Sequence, residues 1–317
     1  KMINYFYNLS NNKEGLPKVK IYIPEKTSRA LLSNIPNSTK QYLNAEILLN
    51  NKKTKARVRY LSDNPVNWMF HQKSIRLKLN KSDLENRKRY FEYKADGDSI
   101  LPRYIANQLA KKLGLLVSEI KIVELIINNK SSGMYIETER LNESFLRRNK
   151  IMPINLYKGE QFMNSEKKIG LAYNLDQNPG LWEKISSYNA VDDDDYADLI
   201  RFFDSVKKAE GLNNELNKIF KYKNLDSFVK VSILEVLINS PSADAVHNRR
   251  MAIDPWSGTI HLIPHDYDYT AQEIDIEKFS LDKSYIRLFD ILHQSSKFLD
   301  YKYSTLYRLI KEEKIFH

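Results

Sequence analysis

The sequence predicts an α+β fold: a β-rich first part with one main helix, then a mostly helical second part that carries a late hairpin. Three observations predict it. Short segments of alternating polarity fill the first ~140 residues, the pattern of half-buried strands. Helical periodicity dominates the remainder. The stretch Asn239–Thr270 interrupts that periodicity with a strand–turn–strand pattern flanked by acidic residues. With 317 residues, 42% of them apolar and 28% charged, the chain can bury a sizeable core as one large domain or two smaller ones.

The elements follow in order. Val19–Ile23 reads as a first strand and Glu25–Leu32 as a short helix. Leu43–Leu49 and Lys55–Tyr60 alternate as strands about the polar turn Asn50–Lys53, and Ser74–Leu79 alternates again. Pro102 opens a helical pattern that stops at Gly114, with proline in the first turn and glycine just past the end. Ile120–Ile127 and Met134–Glu137 form a hairpin around Asn128–Gly133, and Asn142–Asn149 is a short helix. Asp192–Asp195 precede the amphipathic run Tyr196–Ala209. Four carboxylates there either complement a helix dipole or hold calcium or a basic partner. Leu225–Asn239 is apolar on most sides and belongs in a core. Arg250–Ile253 and Thr259–Ile263 flank the turn Asp254–Gly258, a hairpin signal, and Tyr285–Lys311 is helical. This is the layout of a two-lobed kinase-like fold, which other α+β arrangements share.

Composition narrows the function. The chain has no cysteine, which excludes disulfides, thiolate metal sites and a cysteine nucleophile. No apolar run approaches the roughly 20 residues of a transmembrane helix. The longest, Ile120–Asn128, contains Lys121 and Glu124. The abrupt start at Lys1 suggests a piece of a longer protein, so a missing anchor or export signal decides nothing about location. A net charge of +10 means either a solvated basic surface or one that attracts an acidic protein, a nucleotide or an anionic polymer. Specific nucleic-acid binding has no signature here. His261 and His265 are four apart, but Pro264 prevents a helix between them. On a strand they stand about 13 Å apart, too far to share one zinc.

The candidate chemistry lies in Asn239–Thr270. Asp244 and Asn248 are four apart; a hairpin follows, then Asp266 and Asp268. Phosphoryl transfer uses such a set: a carboxylate to orient the hydroxyl, and an amide and carboxylate to hold the metal. The same residues also serve as caps or solvated loop carboxylates. In the first part, Lys53, Lys55, Arg57 and Arg59 alternate with shorter or apolar residues, so period two puts all four cations on one strand face. That face is either solvated or phosphate-facing. Lys73 and Lys78 are five apart and face opposite sides of a regular strand.

Several stretches together resemble the spore-coat-protein-H (CotH) kinase family, an atypical protein-kinase-like family. They are Arg57–Lys81 (RVRYLSDNPVNWMFHQKSIRLKLNK), Leu109–Leu115, Ile127–Leu146 (INNKSSGMYIETERLNESFL) and Leu156–Glu160 (LYKGE), within roughly Leu16–Thr270. The resemblance implies a two-lobed protein-kinase-like fold, with an N-lobe over residues 1–137 and a helical C-lobe over 138–317. It implies ATP-dependent, magnesium- or manganese-assisted transfer to a hydroxyl, of Ser/Thr in a protein. A glycan or small-molecule acceptor is the alternative, as is a non-catalytic surface protein that binds a partner, acidic ones included. Asp244 falls at the catalytic aspartate and Asn248 at the metal-binding amide, spaced by four where typical protein kinases have five. Asp266 falls at the magnesium carboxylate, with Asp268 as a second or alternative ligand. His265 stands where the family has tryptophan. Lys73 matches the phosphate-pairing lysine. Arg59 lies in an Arg-x-Arg-Gly region whose glycine is replaced by Ser62. Glu137 falls in the segment that connects the lobes, where adenine recognition would come mainly from backbone groups.

Overall fold

The computed structural model describes residues 15–35, 37–61, 67–85, 88–159, 175–176, 178–186, 195–219, 225–239, 247–269, 280–282, 284 and 286–312. Its α+β chain divides into two compact units, residues 1–104 with 118–145, and residues 105–117 with 146–317. The sequence-based boundary at Glu137 instead falls inside a strand of the first unit.

The first unit is a closed seven-stranded barrel, where the sequence predicted only a β-rich region. Its strands are β1 (Lys18–Tyr22), β2 (Leu43–Leu49), β3 (Lys52–Tyr60), β4 (Ile75–Leu79), β5 (Tyr90–Lys94), β6 (Ile120–Ile127) and β7 (Lys130–Glu139). They follow the order β1-β2-β3-β4-β5-β7-β6, and β1 closes the ring by parallel pairing with β6. Helix α1 (Glu25–Ser33) follows β1. Strand alternation fills the interior: Ala56, Val58, Tyr60, Ile75, Leu77, Leu79, Phe91 and Tyr93 all join one buried cluster. Their neighbours, Arg57, Arg59, Arg76 and Lys78 among them, therefore face outward.

Two tight turns set the register. Asn50 and Asn51 adopt φ 48° and 62°, and Asn128 and Asn129 adopt 50° and 66°. Consecutive positive φ values suit two-residue hairpins, and asparagine tolerates them better than most residues. The second turn is shorter than the predicted Asn128–Gly133 loop, so β7 begins at Lys130. Asn128 also extends the closure. Its amide donates to the Ile23 carbonyl and its side-chain oxygen accepts from the Ile23 N–H, both at 2.8 Å. Gly133 has φ 97°, and a Cβ there would collide with the Gln72 side chain that donates to the Ser132 carbonyl. β5 was missed because Tyr90–Lys94 is short and its outward positions carry Glu92 and Lys94.

Helix α2 (Ile100–Lys112) begins two residues before Pro102, and α3 (Glu143–Arg148) matches the predicted Asn142–Asn149 segment. In the second unit, β8 (Asn155–Gly159), β9 (Trp182–Lys184), β10 (Arg249–Ile253) and β11 (Ile260–Leu262) form an antiparallel sheet ordered β11-β10-β8-β9. Around it lie α4 (Ala197–Ala209), α5 (Asn213–Ile219), α6 (Leu225–Ile238), α7 (Arg287–Leu292) and α8 (Ser296–Lys311). The helix α6 is buried along most of its length, as its apolar composition predicts. Of the acidic run, only Asp195 is described; its carboxylate accepts the Ala197 N–H at 2.9 Å at the start of α4. The predicted C-terminal helix is two helices, because Ser295 caps α8 by accepting the Phe298 N–H.

Candidate functional site

The second unit's candidate residues are arranged by the β10–β11 hairpin. Met251 pairs with Leu262 and Ile253 with Ile260, and the Ile263 N–H donates to the Arg250 carbonyl at 2.9 Å. Asn248 directly precedes β10, and His265 and Asp266 follow β11 by three and four residues, at the same end of the hairpin. Both candidate metal ligands thus stand at the open end of the hairpin, with Asp268 two residues further along. Asn248 has φ 57° and Asp266 has φ 55°. Left-handed backbone at non-glycine residues is uncommon, and it turns the chain sharply at both positions. His265 Nε2 lies 3.7 Å from Asp266 Oδ2. Asp244 lies outside the described residues.

The mouth of the hairpin is pinned from beneath. Arg249, next to Asn248, donates through Nη1 to Glu235 Oε1 at 2.8 Å and to the Tyr267 hydroxyl at 2.5 Å. Tyr267, between Asp266 and Asp268, donates to the same Glu235 oxygen at 3.1 Å. All three side chains are buried. Burial pushes the Glu235 pKa up, while Arg249 and Tyr267 pull it down. Asp176 is a second carboxylate in the electrostatic field of Arg249, and accepts the Leu288 N–H at 3.1 Å. Burial raises its pKa to about 6 despite Arg249. One buried guanidinium therefore faces two carboxylates.

Sequence reasoning missed this network. Its signal was available: Glu235 interrupts the apolar run Ile233–Ile238 of α6, and Arg249 and Arg250 enter a strand in which every residue is buried. Buried ionised groups need partners, so those sequence features point to each other.

The donor set suits a hard divalent cation. An amide oxygen and carboxylates are the ligands that magnesium and manganese take, and the chain has no cysteine thiolate. Among the described residues, no three His, Cys, Asp or Glu side chains gather as a metal-binding group. Asn248 is an amide and Asp244 is not described, so the candidate set is of a different kind.

In the barrel, the three nucleotide candidates are separated. Lys73 precedes β4, and its ammonium donates to the carbonyls of Trp68 and Phe70, each at 2.8 Å. Glu137 is in mid-strand on β7, between Tyr93 on β5 and Lys121 on β6, rather than in a connecting segment. β7 continues past it because it pairs on both sides. Burial raises the Glu137 pKa, opposed by Lys88 and Lys121. Arg59 lies on the outer face of β3, with its guanidinium 5.1 Å from the centre of the Tyr42 ring. The four-cation row holds as predicted by period two: Lys53, Lys55 and Arg57 are exposed and Arg59 is half-buried.

Comparison with known proteins gives three results. Among solved structures, a chain of the Shewanella oneidensis MR-1 toxin–antitoxin complex of HipA, HipB and operator DNA aligns at 13% identity and TM-score 0.33. The match covers 71% of this chain and 50% of that one, and at such a TM-score it bears on neither fold nor chemistry. No curated protein matches the chain. The sequence profile of the CotH kinase protein family matches residues 67–314. That span takes in the Lys73 loop, β7, the buried helix α6 and the whole Asn248–Asp268 hairpin, so on this match the chain belongs to the CotH kinase family.

Proposed function

We propose that the chain transfers a phosphoryl group from ATP to a hydroxyl, with magnesium or manganese held at the mouth of the β10–β11 hairpin. The observation that supports this reading is that Asn248 and Asp266 lie just outside the two hairpin strands at the same end of the hairpin, and both adopt left-handed backbone. Family membership supplies the reaction class.

In this reading the Asn248 amide oxygen and the Asp266 carboxylate would hold the cation, with Asp268 as the second carboxylate, and the cation would supply charge neutralisation of the transferring phosphate. The Glu235–Arg249–Tyr267 network fixes the residues that flank these ligands, so the donors need little reorganisation on binding. Asp244, four residues before Asn248, orients the acceptor hydroxyl and takes up its proton. Of the barrel candidates, Arg59 is the better phosphate contact. Lys73 already places two ammonium protons on carbonyls of its own loop. The acceptor is Ser or Thr of a protein, and the basic surface favours an acidic one.

Incubation with γ-labelled ATP, magnesium and candidate acceptors tests the reading. Label transfer that is lost on chelation and in Asp266→Ala supports it. Wild-type transfer in Asp266→Ala, Asn248→Ala and Asp268→Ala alike would place the metal elsewhere and sink the assignment.

A further inference from the structure

The outer positions of β1, β2 and β3 carry mostly one sign of charge. Strand alternation buries Ile21, Ala45, Ile47, Ala56 and Val58 inside the barrel and turns their neighbours outward. Lys20 on β1 and Lys53, Lys55 and Arg57 on β3 are exposed on that face. Arg57 stands between Asn44 on β2 and Lys78 on β4, so neither neighbour answers its charge. Glu46 on β2 is the carboxylate of the face, with Lys55 opposite on one side and Tyr22 on the other. Among the described residues, Lys20, Lys53, Lys55 and Arg57 take part in no ion pair. The same unit pairs other cations: Lys18 with Glu124, Arg76 with Glu92 and Lys88 with Glu119. Arg76 therefore lies outside this set. Apolar surface sits among the cations. Half-buried Leu48 is opposite Lys53, whose ammonium lies 4.3 Å from the centre of the Tyr22 ring.

We infer that this face docks an acidic protein segment in extended form, one that mixes carboxylates with apolar residues. The inference is independent of the phosphoryl-transfer reading. Successive outward residues of a strand are about 6.8 Å apart, which is also the spacing of alternate side chains in an extended peptide. Carboxylates on one side of such a segment therefore match Lys53, Lys55 and Arg57 in step. Leu48 and the Tyr22 ring offer contacts to its apolar residues. A uniformly anionic polymer such as nucleic acid would set a phosphate near Glu46 and gain nothing from Leu48. A mixed protein sequence places a neutral residue there instead. Exposed ion pairs are individually weak, so a row of them selects a partner by its charge pattern and speeds encounter. The net charge of +10 adds long-range attraction for the same partner.

Fluorescence anisotropy with labelled synthetic peptides at physiological salt tests this. The probe is a peptide of about ten residues made of Glu, Leu and Thr, long enough to cross the row at about 3.4 Å per residue. The controls are the same peptide with Lys for Glu, and a single-stranded oligonucleotide. Wild-type protein should bind the Glu peptide and not the Lys peptide. Lys53→Glu combined with Lys55→Glu should weaken binding by about tenfold or more, and Glu46→Gln should tighten it. Lys297→Glu combined with Lys311→Glu, on α8 rather than on this sheet, changes the net charge equally. It should alter binding by no more than about twofold, because screening limits the reach of an exposed charge. If the β3 double reversal lowers the melting temperature, Lys55→Gln is compared with Lys297→Gln instead. Failure of the Glu peptide to bind, or equal losses in the α8 pair, overturns the proposal. Oligonucleotide binding that is as tight and as dependent on Lys53 and Lys55 makes the face a polyanion site and overturns it too. None of these outcomes bears on phosphoryl transfer, which labelled ATP tests separately.

Discussion

Arg249 in the second unit and Arg59 and Arg140 on the barrel are held in opposite ways. In the second unit, Arg249 is buried between Glu235 and the Tyr267 hydroxyl, with Asp176 near, so its charge is answered within the protein. On the barrel, Arg59 and Arg140 are backed by aromatic rings, Arg59 stands opposite Arg76 on the next strand, and Arg76 and Glu92 act on Arg140 with opposite signs. A neutralised buried cation acts as a structural fastener. The difference separates a cation fixed by ion pairing from cations fixed by aromatic packing.

The largest effect should come from breaking the neutralised side. Glu235→Ala leaves Arg249 buried and uncompensated, and should cost about 3–5 kcal/mol of stability. Denaturant unfolding measures it. A loss below about 1 kcal/mol would show that Asp176 alone answers Arg249. Tyr267→Phe keeps the ring and removes only the hydroxyl. It should cost about 1–3 kcal/mol and loosen metal binding, since Asp266 and Asp268 flank it.

Next come the ligands. Asp266→Ala and Asn248→Ala should each lower magnesium-dependent ATP affinity while leaving stability within about 1 kcal/mol, because neither belongs to the core. Asp244→Asn should abolish transfer and keep ATP binding; the proton acceptor contributes about 10²–10⁴ in rate. On the barrel, Arg59→Ala should weaken ATP by about ten- to a hundredfold, the worth of one charge-assisted hydrogen bond. Lys73→Ala should act less, through its loop. Reversal of that order would return the phosphate contact to Lys73.

The smallest effect is a pH dependence with opposing parts. The Asp176 pKa is raised to about 6, so its folded form holds a proton that the unfolded chain releases. Stability from this group is gained as pH falls through 6 towards the ordinary carboxylate range. Burial, then Lys302, lowers the His293 pKa to about 4, so its folded form stays neutral while the unfolded chain takes up a proton near 6.5. Stability from this group is lost over the same interval. The wild type should be nearly flat between pH 6 and 4. His293→Gln should become more stable on acidification there, and Asp176→Asn less. Parallel slopes in all three proteins would show that these groups do not govern the range.

Much of this was legible in the sequence because it depends on local periodicity. Period two placed Lys53 to Arg59 on one face of β3, and apolar continuity marked α6 as a core helix. The DPWSG turn marked the hairpin. What depends on distant partners was not legible. Closure of the barrel requires β1 to pair with β6, and β8 joins β10 across about ninety residues, Gly159 opposite Arg249. Arg140 gave no signal, because its role comes from Tyr90 on a strand that was itself too short to recognise. Glu137 was misplaced because the pattern Met134–Glu137 resembles the end of a strand, whereas β7 runs on to Glu139.

The Asn128 clasp on Ile23 has a kinetic consequence. It joins residues 105 apart, and it belongs to the parallel seam that closes the barrel. Non-local pairings of this kind slow folding, because loop-closure entropy is lost before the contact forms. On the ribosome, at roughly 5–20 residues per second, β1 would wait for β6 and its turn for between about 5 and 20 seconds. Throughout that interval β1 exposes a free edge to other chains. Its Lys18 and Lys20 are the kind of charged residues that discourage such an edge from pairing wrongly.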